Sequence, residues 1–124
     1  MSKDSQIDLV EFPASSPEEL MAIKIFFAEA FNWQYKDYGD GYSDTPDSGL
    51  TFGINATNEG QSSMPLVVIY ASNLEAAKEK VVQAGGKIIV DTYPFPGGRR
   101  FHFIDPAGHE FAVWSEESSA NNQE

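Results

Sequence analysis

The chain has 124 residues, 41% hydrophobic and 22% charged, and nineteen acidic residues face eight basic ones for a formal net charge of −11. That is a globular composition with enough length for a core, and its acidity argues against nucleic acid and anionic membrane as partners. There is no cysteine, hence no disulfide and no cysteine metal site, which fits a cytoplasmic location; MSKDSQ at the start holds no apolar signal core, and no apolar run approaches the ~20 residues of a membrane span.

Taken in chain order, Ile7–Phe12 predicts a short apolar strand that ends at Pro13. Ser16, Pro17 and Glu19 then predict a helix start: hydroxyl cap, proline at the first position, glutamate reaching back, with Ser15 and Glu18 fitting nearly as well. Leu20, Ile23, Phe27 and Phe31 recur at helical spacing as a buried stripe, and Asn32-Trp33 closes the helix. Gln34–Tyr38, Gly39–Asp44 and Gly49–Ala56 read as a small antiparallel meander. Residues 57–65 are polar and turn-rich and read as a linker.

A second series follows. Leu66–Ala71 predicts a strand. Ser72–Ala84 predicts a helix with Ser72 and Glu75 at capping-box spacing and a stripe of Leu74, Ala77 and Val81, and Gly85-Gly86 predicts its stop. Lys87–Asp91 reads as a strand and Thr92–Gly98 as a Pro/Gly loop. Arg100–Ile104 and Glu110–Trp114 are strands joined by the turn Asp105-Pro106-Ala107-Gly108. Residues 116–124 read as a disordered tail.

The two series are copies. Stepping 57 residues pairs Leu9 with Leu66, Val10 with Val67, Ala14 with Ala71, Ser15 with Ser72 and Glu18 with Glu75. The expected class is therefore α+β, one domain of two βαβββ modules, about 7–56 and about 66–115. A sheet covered by a helix on one face needs company on the other, and a second module supplies it.

The segments EFPASSPEELMAIKIFFAEAFNW, LEAAKEKVVQAGGKI and FHFIDPAGHEFAVW resemble the glyoxalase/bleomycin-resistance/dioxygenase family, also called vicinal oxygen chelate (VOC) proteins, over roughly residues 7–115. The branch related to lactoylglutathione lyase is closest in feel. The resemblance implies a curved mixed sheet around a central cup holding a divalent metal and a small substrate, and a homodimer. It implies two metal-binding histidines on the opening strands and two glutamates on the closing strands. Here those positions fall on Leu9, Leu66 and Ala112, and the fourth lies within Ser48–Ala56, which has no Glu, Asp or His. Leucine and alanine carry no lone pair, so the expected metal cofactor is none.

Strand alternation sorts the rest. Leu9, Glu11, Leu66, Val68, Tyr70, Arg100, His102, Glu110, Ala112 and Trp114 share the cup face as expected ligand contacts. Val10, Phe12, Val67, Ile69, Phe101, Phe103, Phe111 and Val113 go under the helices. His102 and Glu110 are the candidate acid–base pair, and Glu11 with Glu110 a candidate carboxylate pair. Arg99 or Arg100 could meet an anionic ligand, and His109 sits solvated in the turn. Three readings follow: a metal-free small-molecule binder like the bleomycin-resistance members; a lyase or isomerase of glyoxalase type, metal-independent unless the ligand positions are misplaced; or a dimeric structural or regulatory module whose pocket is filled by its own side chains.

Overall fold

The computed structural model describes residues 3–57 and 63–116, and within them the strand–helix–strands series occurs twice. The first comprises β1 (Gln6–Pro13), α1 (Pro17–Phe31), β2 (Lys36–Asp37), β3 (Tyr42–Thr45) and β4 (Thr51–Asn55); the second β5 (Leu66–Tyr70), α2 (Leu74–Gln83), β6 (Lys87–Phe95), β7 (Gly98–Ile104) and β8 (Glu110–Glu116). The class is α+β, as expected. Contacts divide the chain into two units, one spanning Leu9–Leu66, the other running from Val67 onward and including the first residues up to Asp8. The start of β1 is tied to the second unit because Ser5 N–H donates to the Tyr70 carbonyl (2.8 Å) and Ser72 N–H to Asp4 (2.9 Å). The expected linker lies largely outside the described residues, as does the tail beyond Glu116, which itself ends β8.

In the first unit β4 pairs parallel with β1 and antiparallel with β3, and β3 pairs with β2, so the predicted meander is present with a shorter first strand. Ser16 caps α1 by accepting from Glu19 N–H at 3.1 Å, while the Glu19 carboxylate reaches back to Ser15 N–H at 2.6 Å. Asn32 ends the helix in the left-handed region, φ 65°. Leu20, Ile23 and Phe27 pack on Ala14, Phe52 and Ile54, and Trp33 stacks on Phe27 at 4.9 Å. Phe31 departs from the expected stripe: it is 60% exposed and touches only the edge of this core, stacking on Phe27, because the chain turns away one residue later.

In the second unit the order is β5-β8-β7-β6. Leu74, Ala77 and Val81 of α2 pack on Ile69, Phe101, Phe103 and Val113. Gly85, at φ 103°, stops the helix as predicted. Two expectations need correction. Asn73, not Ser72, caps α2, accepting from Ala76 N–H at 3.0 Å; Glu75 is thereby in the first turn, where it binds Arg99 at 2.7 Å instead of closing a capping box. Thr92–Phe95 is strand rather than loop, since β6 is an edge strand, where a proline such as Pro94 is tolerated.

The cap assignment makes a sharp comparison. In urea denaturation, Asn73→Ala should cost about 1 kcal/mol and Ser72→Ala less than about 0.5 kcal/mol. Arg99 holds the Glu75 carboxyl below the usual carboxylate range. Its contribution is therefore full above that range and fades as pH falls through the folded value. The melting-temperature gap between wild type and Glu75→Gln should close between pH about 6 and about 3.

Candidate functional site

Under α2, β7 and β8 are constrained by their two-residue period: once Phe101 and Val113 are buried against the helix with Phe103 packed beside them, Arg100, His102 and Ala112 must face the other way. Arg99 obeys the same rule, pointing to the helix side and to Glu75. On the opposite face the register sets His102 beside Ala112, Ala112 beside Val68, and Arg100 beside Trp114. Val68 and Ala112 are wholly buried, and His102 is 1% exposed.

Four side chains, Arg100, Tyr93, His102 and Glu110, form one chain of hydrogen bonds. Arg100 Nε donates to the Tyr93 hydroxyl oxygen (2.5 Å), that hydroxyl meets His102 Nε2 (2.7 Å), and His102 Nδ1 meets Glu110 Oε2 (2.8 Å). The Arg100 guanidinium also lies over the rings of Tyr93 (5.7 Å) and Phe95 (5.8 Å). The Glu110 side chain is 28% exposed against 2% for that of His102, so the chain opens toward solvent at its carboxylate end. Of the expected contact residues, Arg100, His102 and Glu110 are thus brought together.

Sequence reasoning missed Tyr93. The pairing of β6 with β7 slips by one residue between Val90↔His102 and Tyr93↔Arg100. Without that bulge Thr92 would stand opposite Arg100; the extra residue re-aims Tyr93 onto the face of His102. Two-residue spacing of Tyr93 and Phe95 was the available signal for a strand, and the intervening Pro94 masked it.

Tyr70 and Trp114 gather separately, ring to ring at 5.1 Å, with Trp114 Nε1 donating to the Asp8 carboxylate at 3.1 Å. Burial, then the nearby Glu116 carboxylate, pushes the Tyr70 phenol up. His109 is exposed and bonded to Asp105 at 3.0 Å; that contact holds the Asp105 carboxyl below its usual range.

In the first unit Glu11 is 3% exposed. It accepts from the Tyr42 hydroxyl at 2.8 Å and from Asn55 Nδ2 at 3.5 Å, and Thr57 in turn donates to Asn55 Oδ1 at 2.6 Å. The strand partner of Glu11 is Gly53. A Cβ at Gly53 would collide with the Tyr42 hydroxyl and lie 3.3 Å from Leu9 Cδ1. Glycine is required there so that tyrosine can reach the carboxylate.

For the fourth metal position that the resemblance implies, within Ser48–Ala56, the register points to Gly53. The repeat equates Glu11 with Val68; Glu11 pairs with Gly53 as Val68 pairs with Ala112, so Gly53 is the counterpart of Ala112. Leu9, Leu66, Ala112 and Gly53 have no donor side chain, and this donor set does not fit the divalent ion that the resemblance implies. Among the described residues no group of three or more His, Cys, Asp or Glu side chains is placed to hold a metal.

Two open grooves of about 330 and 340 Å³ flank α1 in the first unit, and neither is lined by an expected contact residue. The chain around His102 is the candidate because it links a phenol, an imidazole and a carboxylate within hydrogen-bond reach of one another.

A model of the Glyoxalase/Bleomycin resistance protein/Dioxygenase superfamily matches residues 7–113. Among solved structures, similar folds include an NAD-dependent benzaldehyde dehydrogenase from Legionella pneumophila (TM-score 0.72, 16% identity, 88% of this chain and 98% of that one). A glyoxalase/bleomycin resistance protein/dioxygenase superfamily member from Vibrio splendidus is also similar (0.66, 14%, 87% and 97%). So is a Mn(II)-bound glyoxalase from Novosphingobium aromaticivorans (0.62, 19%, 93% and 40%). No curated protein matches the chain.

Tyr42→Phe should leave the buried Glu11 short of a donor and cost about 1–3 kcal/mol in urea denaturation. Gly53→Ala should cost a similar amount by evicting the same hydroxyl, and the double variant should cost less than the sum of the two.

Proposed function

This chain belongs to the glyoxalase/bleomycin resistance protein/dioxygenase superfamily, and we propose that within it the protein is a small-molecule-binding module that works without the family's divalent metal. The reading rests on one contrast. The positions Leu9, Leu66 and Ala112 offer no lone pair, whereas Arg100, Tyr93, His102 and Glu110 form a continuous polar chain beside the apolar Val68 and Ala112. Apolar side chains beside a few converging polar groups are the composition that suits a small organic molecule bearing a polar or anionic end.

Second in order is a metal-independent lyase or isomerase, in the branch related to lactoylglutathione lyase, with His102 and Glu110 in acid–base roles. The observation favouring it is the bond from His102 Nδ1 to the Glu110 carboxylate, which orients the ring and supports charge on it. Assembly as a homodimer and a cytoplasmic setting complete the proposal.

Two measurements test the binder. Purified protein should contain divalent metal well below one ion per chain, and chelator should leave its melting temperature unchanged. In a thermal-shift screen of small carboxylates, phenols and aromatic drugs, a ligand at about 100 times its Kd should add about 2.7 kcal/mol of stability, a rise of several degrees. A stoichiometric ion whose removal lowers the melting temperature would overturn the metal-free reading. Silence across the screen would leave the fold as a structural module.

A further inference from the structure

The hydrogen bonds of the second module have a direction. Arginine only donates, so Arg100 Nε–H occupies one lone pair of the Tyr93 oxygen. The Glu110 carboxylate oxygen accepts, so a neutral His102 ring bonded to it carries its proton on Nδ1. Nε2 is then a bare lone pair, and the Tyr93 hydroxyl donates to it. Donors run one way: Arg100 to Tyr93 to His102 to Glu110.

This is the logic of an activated nucleophile. A proton leaving Tyr93 for His102 Nε2 creates a phenolate and an imidazolium. The phenolate is faced by the Arg100 cation, the imidazolium by the Glu110 anion. Each new charge meets a fixed opposite charge in a site where His102 is almost wholly buried, so little solvent must reorganise.

We propose that Tyr93 is the proton-transfer residue of this protein, with His102 as its base and Glu110 as the group that positions and supports His102. The proposal rests on the reading that a small molecule meets this face. The phenolate oxygen removes a proton from an acidic C–H or O–H of that molecule and becomes a phenol again, and the original phenolic proton remains on His102 Nε2. Returning the same proton from Tyr93 to a different atom of the molecule yields an isomer and leaves Tyr93 a phenolate, which recovers its own proton from His102 Nε2 and so restores the chain. No metal, oxidant or second substrate enters the balance. His102 and Glu110 act through Tyr93, and the bulge in β6 is the device that supplies the tyrosine.

The test uses the full chain without ligand, so it is independent of whether the binding screen succeeds. The first measurement is ¹⁵N NMR of the two histidine rings, assigned with His109→Gln. His102 should show Nδ1 protonated and Nε2 bare at pH about 7; a proton on Nε2 would reverse the direction of the chain and overturn the proposal. The second is labelling with phenylmethanesulfonyl fluoride, read by peptide mass spectrometry. The Tyr93 oxygen forms an S–O bond, the S–F bond breaks, fluoride leaves, and the phenolic proton goes to His102. Tyr93 should react about tenfold or more faster than Tyr38, which is 47% exposed. His102→Gln and Glu110→Gln should each slow Tyr93 and leave Tyr38 unchanged; the second variant serves if the first fails to fold. Labelling of Tyr93 no faster than Tyr38, or unaffected by Glu110→Gln in folded protein, would overturn the proposal. Positive labelling with a silent ligand screen would count against the binding reading alone.

Discussion

Each module depends on the same constraint: a strand has two faces, and one helix covers only one of them. Burying Phe101, Phe103 and Val113 against Leu74, Ala77 and Val81 is the apolar gain that holds the second module together. The period of two then places Arg100, His102 and Ala112 on the opposite face with no freedom to choose. Moving the register by one residue would put arginine and histidine against the helix and phenylalanine in their place. The polar chain is thus a by-product of core packing as much as a feature in its own right, and the core secures its geometry.

That constraint explains what could be read from the residues alone. The repeat, both helices, the parity of β7 and β8 and the turn at Asp105–Gly108 follow from local periodicity, capping and turn chemistry, all of which are written in short windows. Gly108 N–H does bond to the Asp105 carbonyl, at 2.9 Å. Features set by neighbouring strands were not legible. Asn73 displaced Ser72 as the cap although both residues suit the role, and Ser72 N–H is satisfied by Asp4, far away in sequence. Tyr93 was hidden because its facing depends on a bulge, and a bulge is defined only against the partner strand. Tyr42 and Gly53 were hidden for a similar reason: their roles exist only where β3, β4 and β1 lie side by side.

The two modules have diverged in how they treat a carboxylate near a tyrosine. In the first, Tyr42 bonds directly to Glu11, which is nearly sealed from solvent. A phenol donating straight to a buried carboxylate is a structural bond that satisfies both groups. In the second, an imidazole stands between Tyr93 and Glu110, and the carboxylate is partly open. Inserting an imidazole, which has one nitrogen to donate and one to accept, turns a single contact into a relay of two. The duplicated scaffold therefore carries a direct and a relayed version of the same tyrosine–carboxylate pairing.

Gly53 ties three positions of the first module into one unit. With the Tyr42 hydroxyl occupying the space above it, no side chain can be added at Gly53 unless the tyrosine yields. Trimming Tyr42 removes a donor from the buried Glu11, and enlarging the glycine alone displaces that same hydroxyl. Glycine, tyrosine and glutamate are therefore exchangeable only as a set, and a substitution at any one of them is felt at the other two.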